Sequence, residues 1–288
     1  MTKKQWIADG LLLLTAAIWG FAFVSQKVGA AYVGAFTYNG IRFTLGGLVL
    51  WPVIAVLDRK NPPSREVCRE TLLLGIPAGL ILGTAAALQQ IGVAYTSAGK
   101  AGFLTGLYVV LVPVFGFLFL RQKLRLPAIA GMLLAAGGIY ILSVTEAFTI
   151  GRGDLLVLIA AVLFAVHILY IDRVAGRVHA LRLSSVQFLV TGLASLAIAL
   201  FTEPFSAAAI LSALPAILYG GFLSVGVAYT LQVVAQKDAH PAHAAILLSM
   251  ESVFGAIGVA ILLHERMGLR GVVGCAMMLI AILLSQKE

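Results

Sequence analysis

Charge is scarce in this chain. Asp, Glu, Lys and Arg make up 11% of its 288 residues, less than half of the roughly 25% usual in soluble domains. Long polar stretches are also missing. The longest are Asp58–Glu70 and Asp172–Ser185, too short for a nucleotide-binding or catalytic domain outside a membrane. Cysteine is nearly absent: Cys68 and Cys275 stand far apart, which excludes a disulfide framework and a cysteine metal site. No Ser/His/Asp or Cys/His arrangement points to hydrolysis. Gly99-Lys100 resembles the end of a phosphate-binding loop, but Ala94 and Ala101 stand where that loop needs glycine and Ser/Thr. His240 and His243 are three apart with no nearby cysteine or carboxylate cluster to complete a metal site. No metal and no cofactor is expected, and no enzymatic reaction.

What fills the chain is apolar: 61% of the residues are hydrophobic. Apolar runs cover 7–27, 35–57, 72–93, 101–120, 127–143, 154–172, 184–201, 212–235, 243–263 and 269–285. They are too long for strands and suit spanning helices of about 20 residues. In a bilayer the backbone must satisfy its own hydrogen bonds, so the choice is helix or closed barrel. A barrel would alternate polar and apolar residues, and these runs do not. The expected fold is an all-α integral membrane protein of ten transmembrane helices. The apolar run Leu11–Val24 after Lys3 and Lys4 resembles a secretory signal, and with nine spans behind it reads as an uncleaved first helix.

The formal net charge of +8 would suit a nucleic-acid binder, but the basic residues sit in the predicted loops, where they orient a membrane protein. With the N-terminus inside, Lys3, Lys4, Arg59, Lys60, Arg65, Arg69, Arg121, Lys123, Arg125, Arg173, Arg177, Arg182, Lys237 and Lys287 fall on the inner side, 14 of the 20 Lys and Arg. Both termini are expected in the cytoplasm. The partners expected are a small-molecule substrate and the lipid bilayer, with no nucleic acid, and a monomer is taken as the working unit.

The ten runs form two sets of five. Leu12 and Ala16-Ala17 align with Leu156 and Ala160-Ala161, an offset of 144. Ile41-Arg42-Phe43 aligns with Val186-Gln187-Phe188 at 145, and Leu88-Gln89 with Leu231-Gln232 at 143. Residues 1–143 and 144–288 therefore read as two five-helix repeats. Five is odd, so the second is inverted relative to the first, with a central cavity between them. Gly75, Gly79 and Gly83, and likewise Gly220, Ser224 and Ala228, lie at four-residue spacing and mark close helix packing, with no transport role assigned.

Polar residues inside spans are costly and face a cavity or a partner. Glu251, eight residues into the ninth span, either binds a cationic group or a proton, or makes a structural hydrogen bond. Arg42 either attracts a substrate carboxylate, or snorkels outward or caps a neighbouring helix. His167 either titrates near neutral pH or packs as a hydrogen-bonded core residue. Gln89, Gln90, Tyr108, Tyr229 and Gln232 supply neutral donors and acceptors to a polar cavity, or join helices. Trp19, away from the headgroup belt, walls that cavity or fills a gap. Pro113 should kink the fourth helix.

Four segments carry a family resemblance. These are Ile18-Trp19-Gly20-Phe21-Ala22-Phe23-Val24, Ile41-Arg42-Phe43, Leu104–Val114, and Met250-Glu251-Ser252-Val253-Phe254 followed by His264-Glu265-Arg266-Met267. Together they resemble the EamA branch of the drug/metabolite transporter superfamily over essentially the whole chain. The resemblance implies two inverted five-helix repeats and alternating access around a central cavity. It further implies export of small metabolites, amino acids of the aromatic and neutral type foremost, across a bacterial inner membrane. The alternative it leaves open is a drug or organic-cation exporter of the same fold, proton-coupled through Glu251. Two positions depart from the pattern: Ser252 replaces the proline after the glutamate, and Gln122 replaces a glutamate in the first half.

Overall fold

The computed structural model describes residues 2–60, 62–96, 98–123, 126–143, 150–262 and 268–285, and among them no strand occurs. The chain opens on α1 (Lys3–Ala30), started by Thr2, whose hydroxyl accepts from Gln5 N while the Gln5 side chain accepts from Thr2 N. Next come α2 (Ala35–Val49) and α3 (Trp51–Lys60). They divide at Leu50 because Pro52 cannot donate to the carbonyl four residues back and crowds it. α4 (Arg65–Tyr95) is capped by the Ser64 hydroxyl. It begins well before the apolar run at 72, so part of the expected polar loop is the helix's first two turns.

Then follow α5 (Ala98–Gly106), α6 (Tyr108–Leu120), α7 (Leu126–Ser143), α8 (Arg152–Val174) and α9 (Ala180–Thr202). The short α10 (Ala207–Ser212) and α11 (Leu214–Leu218) lead into a π-helix over Tyr219–Tyr229, continued by α12 (Thr230–Ala235). The last three are α13 (Pro241–Ser249), α14 (Glu251–Leu262) and α15 (Leu269–Ser285). Pro241 opens α13, where its missing N–H costs nothing.

Among the described residues, seven helical stretches are long and apolar enough to cross a membrane: α1, Ala35–Arg59, α4, Lys100–Leu120, α8, α9 and Leu214–Ala235. Three shorter apolar helices, Leu126–Leu142, Pro241–Ile257 and Leu269–Ser285, have 10–17 residues. At 1.5 Å per residue, 17 residues reach about 25 Å, just short of a hydrocarbon core of about 30 Å.

The helices pack in a regular pattern. α7 lies along α15, and α2 along α9. α1 packs on α13, α14 and the π-helix, while α8 packs on α5, α6 and α4. α4 also packs on α9, and the π-helix on α2. Exchanging each helix for the one at the matching place in the other half returns the same set of pairs. The bounds agree too. α5, α6 and α7 start at 98, 108 and 126, while α13, α14 and α15 start at 241, 251 and 269, a constant offset of 143.

Small residues make these approaches possible. A Cβ on Gly75 or Gly79 would stand 2.5–2.6 Å from Val186 Cγ1 or the Gln187 carbonyl on α9. The expected packing face on α4 is therefore real. Its partner face on the π-helix meets α1 and α2, through Ala228 O to Thr15 and through Gly220 beside Tyr38 and Arg42. At the end of the bundle rich in basic residues, the two polar stretches tie to each other: Arg182 to Asp58, and Arg177 Nη2 to Glu70 Oε1 at 2.7 Å.

Candidate functional site

A cavity lies where α1, α4, α8, α12 and the π-helix converge on the broken helices α5/α6 and α13/α14. Its lining is largely apolar and aromatic with a few convergent polar groups, as in small-molecule sites. It is narrow, for the centre of a water-sized sphere can reach only about 40 Å³ of it. Trp19, Arg42, Gln89, Tyr108, His167, Tyr229, Gln232 and Glu251 all line this one space. Seven of them are the sequence's candidates for a central cavity and Arg42 its candidate for a substrate carboxylate, and they come from several spans.

The two broken helices form its centre. α5 gives way to α6 at Leu107, and α13 to α14 at Met250, positions related by the same offset of 143. Each break makes the next residue the first of a new helix, Tyr108 in one half and Glu251 in the other. The two meet across the cavity, with Tyr108 Oη donating to Glu251 Oε1 at 3.3 Å. The N-terminal end of a helix carries partial positive charge and favours a carboxylate in its first turn. The break at Met250 occurs although Ser252 stands where the family pattern has proline. In the first half the interruption lies at Leu107, six residues before Pro113, and not at the proline where the kink was expected.

Arg42 is 2% exposed, so it neither snorkels to the interface nor reaches a helix end. Its Nε donates to Asn39 Oδ1 at 2.9 Å, and the Asn39 amide donates to Ala86 O. The guanidinium carbon lies 5.2 Å from the Tyr38 ring centre and 4.7 Å from that of Phe43, close enough for cation–π attraction. Among the described residues Nη1 and Nη2 make no hydrogen bond, and no carboxylate pairs with Arg42. Glu251, 4% exposed, pairs with no cation among the described residues. The cavity thus presents a buried guanidinium and a buried carboxyl group that are not joined to each other.

Aromatic rings and amides complete the lining. Trp19 packs against Tyr229 with ring centres 4.5 Å apart and donates to the Ser224 carbonyl at 3.2 Å. That carbonyl belongs to the π-helix, whose wider turn is a frequent feature of functional sites. Gln89 Nε2 donates to Thr105 Oγ1, and Gln232 Nε2 to Gln236 Oε1, leaving Gln232 Oε1 buried without a partner among the described residues. His167 Nε2 bonds Gln187 Oε1 at 2.9 Å. Its ring therefore packs as a hydrogen-bonded core residue while one face borders the cavity.

Some lining residues were not among the sequence's cavity candidates. Phe23, Gln26, Thr105, Phe164 and Ser224 line the cavity. Phe23 and His167 are related by the repeat offset of 144, so that offset carried a signal for at least one of them. Gln90, grouped with Gln89, lies outside the lining and donates to the Gln26 carbonyl at 3.0 Å. A hundred-degree turn per residue separates the two side chains on α4. His264, Glu265 and Arg266 lie outside the described residues. Among the described residues no three His, Cys, Asp or Glu side chains gather as a metal site would need. The arrangement holds donors, acceptors, a guanidinium and a carboxyl group, which suit binding.

Comparison with known proteins gives the same class. An uncharacterized transporter of Archaeoglobus fulgidus is 29% identical over 287 residues, covering 98% of this chain and 86% of that protein. A second uncharacterized transporter from the same organism is 24% identical, covering 97% of each. A solved crystal structure superposes with a TM-score of 0.77 at 20% identity over 97% of this chain and 96% of that one, which establishes the fold. The model of the EamA-like transporter family matches twice, over residues 6–144 and 151–286. This multi-pass helical membrane protein belongs to the EamA-like transporter family, and its role is transport.

Proposed function

We propose that the chain exports small zwitterionic metabolites, amino acids with aromatic or neutral side chains foremost, by alternating access between two inverted repeats, 1–143 and 144–288. The observation that carries the substrate class is the buried guanidinium of Arg42 and the buried carboxyl of Glu251, unjoined in one cavity. Arg42 has a free guanidinium edge for a carboxylate, and a planar fork suits that group. Glu251 offers an acceptor for an ammonium. Trp19, Tyr229, Phe23 and Phe164 provide apolar walls for a side chain. An inverted arrangement draws support from the exchange symmetry of the helix packing and from five spans per half. The excess of Lys and Arg in alternate loops supports cytoplasmic termini in a bacterial inner membrane. All of this is compatible with a working monomer.

Uptake of radiolabelled amino acids into proteoliposomes tests the reading. Aromatic and neutral amino acids should enter faster than into empty vesicles, and acidic and basic ones should not. Uptake that is equal across all amino acids rejects the assignment.

Glu251 among aromatic rings also favours a second reading, an exporter of drugs or organic cations driven by protons bound at that carboxylate. Protection of cells against lipophilic cations but not against amino-acid analogues would choose it. A Glu251→Gln variant that keeps its rate and its pH dependence would exclude the proton role.

A further inference from the structure

Two charged contacts outside the cavity stand at matching places in the two halves. Lys100 is the third residue of α5, and its Nζ lies 2.8 Å from Asp154 Oδ2 near the start of α8. His243 is the third residue of α13, at the repeat offset from Lys100, and its Nε2 lies 3.2 Å from Asp9 Oδ2 on α1. Asp154 falls within one residue of the position that the repeat aligns with Asp9. The two contacts lie toward opposite ends of α1, the first beside Lys27 and the second at Asp9. The Lys100 end is the more heavily tied: Asp154 also accepts from Thr96 Oγ1 and Gly151 N, and Lys27 Nζ reaches the carbonyls of Val93, Ala94 and Thr96.

We propose that Asp9–His243 is a proton-binding latch on the inner end of the cavity, the counterpart of the Lys100–Asp154 latch on the outer end. The ligand of this site is a proton, and its presence keeps the inner end shut. The hydrogen bonds carry the argument. Ser285 has one hydroxyl proton and donates it to the Ile282 carbonyl at 2.9 Å. The 2.7 Å contact between Ser285 Oγ and His243 Nδ1 must then be donated by the imidazole. With its proton on Nδ1, a neutral ring turns the Nε2 lone pair toward the Asp9 carboxylate, and two acceptors at that separation repel. A second proton, on Nε2, converts that repulsion into a charged contact. Lysine stays charged across the physiological range, whereas histidine as a residue type changes charge near neutral pH. The outer latch is therefore indifferent to pH and the inner one responds to it.

The other groups around His243 do not supply this switch. α1 carries Lys3 and Lys4 in its first turn besides Asp9. α15 brings Ser285, with Arg270 at its far end. α6 and α7, also packed on α13, bring no Asp, Glu, Lys or Arg among the described residues. Glu251, at the head of α14, faces the cavity and Tyr108. His240, at the cap of α13, lies within electrostatic reach of Asp172 on α8, and Arg173 lies beyond it at the end of that helix. Lysine, arginine and aspartate as residue types hold their charges through neutral pH. His240 is of the same residue type as His243, and it is a control below.

The terms inner and outer rest on the orientation proposed above, but the test does not. Leu12, fully buried on α1 one turn from Asp9, is replaced by cysteine in a Cys275→Ser background, keeping exposed Cys68 as the reference thiol. N-ethylmaleimide labelling in detergent is followed by mass spectrometry between about pH 6 and about pH 8. Relative to Cys68, labelling of Leu12→Cys should slow by roughly tenfold at the acidic end. Adding His243→Asn should make it fast at both ends, and His243→Lys slow at both. His240→Asn should leave the pH dependence in place. A pH-independent ratio in the parent protein, or one that persists in His243→Asn, overturns the proposal. Melting temperatures confirm that each variant is folded.

Discussion

Arg42 and Glu251 are the residues whose chemistry the surroundings leave unfinished. A charged side chain in a span costs about 2.5–3.5 kcal/mol on insertion scales, and neither residue finds an opposite charge among the described residues to offset it. A zwitterionic ligand supplies both partners at once. Hydrogen bonds to charged groups contribute about 1.5–3 kcal/mol, so Arg42→Gln and Glu251→Gln should each weaken amino-acid binding by roughly 10- to 150-fold. Arg42→Lys should recover only part of that loss, because an ammonium has no planar fork. Tyr108→Phe removes one hydrogen bond of 3.3 Å and should weaken binding by at most about tenfold. Isothermal titration in detergent with the best substrate of the uptake panel measures all four. The sequence made Glu251 and Arg42 conspicuous, since any charge in an apolar run is conspicuous. It could not tell a cavity-facing arginine from a snorkelling one, because that depends on Tyr38, Asn39 and Phe43 enclosing the guanidinium.

At the scale of elements, the breaks in α5/α6 and α13/α14 do the positioning, and α1 runs against the second of them. A Cβ added at Gly20 would stand 2.7 Å from both Glu251 O and Gly255 N. Only a glycine lets α1 cross there, and the crossing fixes the helix end that carries Glu251. Overpacking of this kind costs about 1–3 kcal/mol, so Gly20→Ala should lower the Tm in detergent by several degrees. Gly10→Ala on the same helix is the control. Its Cβ would meet nothing within 4 Å, and the helix should gain by up to about 1 kcal/mol. Glycine spacing on α4 is legible in the chain itself, as a repeat of small residues every four positions. The break at Met250 is not, for no proline or glycine adjoins it, and at Leu107 only Gly106, the last residue of α5, hints at one. Their backbone is set by packing against α8 and α1.

Across the whole molecule, the two halves share one plan and differ in what they place at its centre. The latches sit where α5 meets α8 and where α13 meets α1, so opening either end means separating elements of opposite halves. A reducible cross-linker joining Lys100→Cys to Asp154→Cys, with Cys68 and Cys275 replaced by serine, should stop uptake into proteoliposomes, and reduction should restore it. Orientation has its own measurement. Exposed Cys68, near the start of α4, should react with a membrane-impermeant maleimide in inside-out vesicles and stay protected in right-side-out ones. The sequence by itself determined the helical class, the apolar spans and the two-part plan, because bilayer length and backbone satisfaction act on composition and on local chain. It also nominated the eight polar positions. Which of them share a cavity, that Tyr108 and Glu251 begin equivalent helices and touch, and that Asp9 finds His243 were decided by tertiary structure alone. Those meetings join positions far apart in the chain, and only the packing of helices from opposite halves brings them within a hydrogen bond.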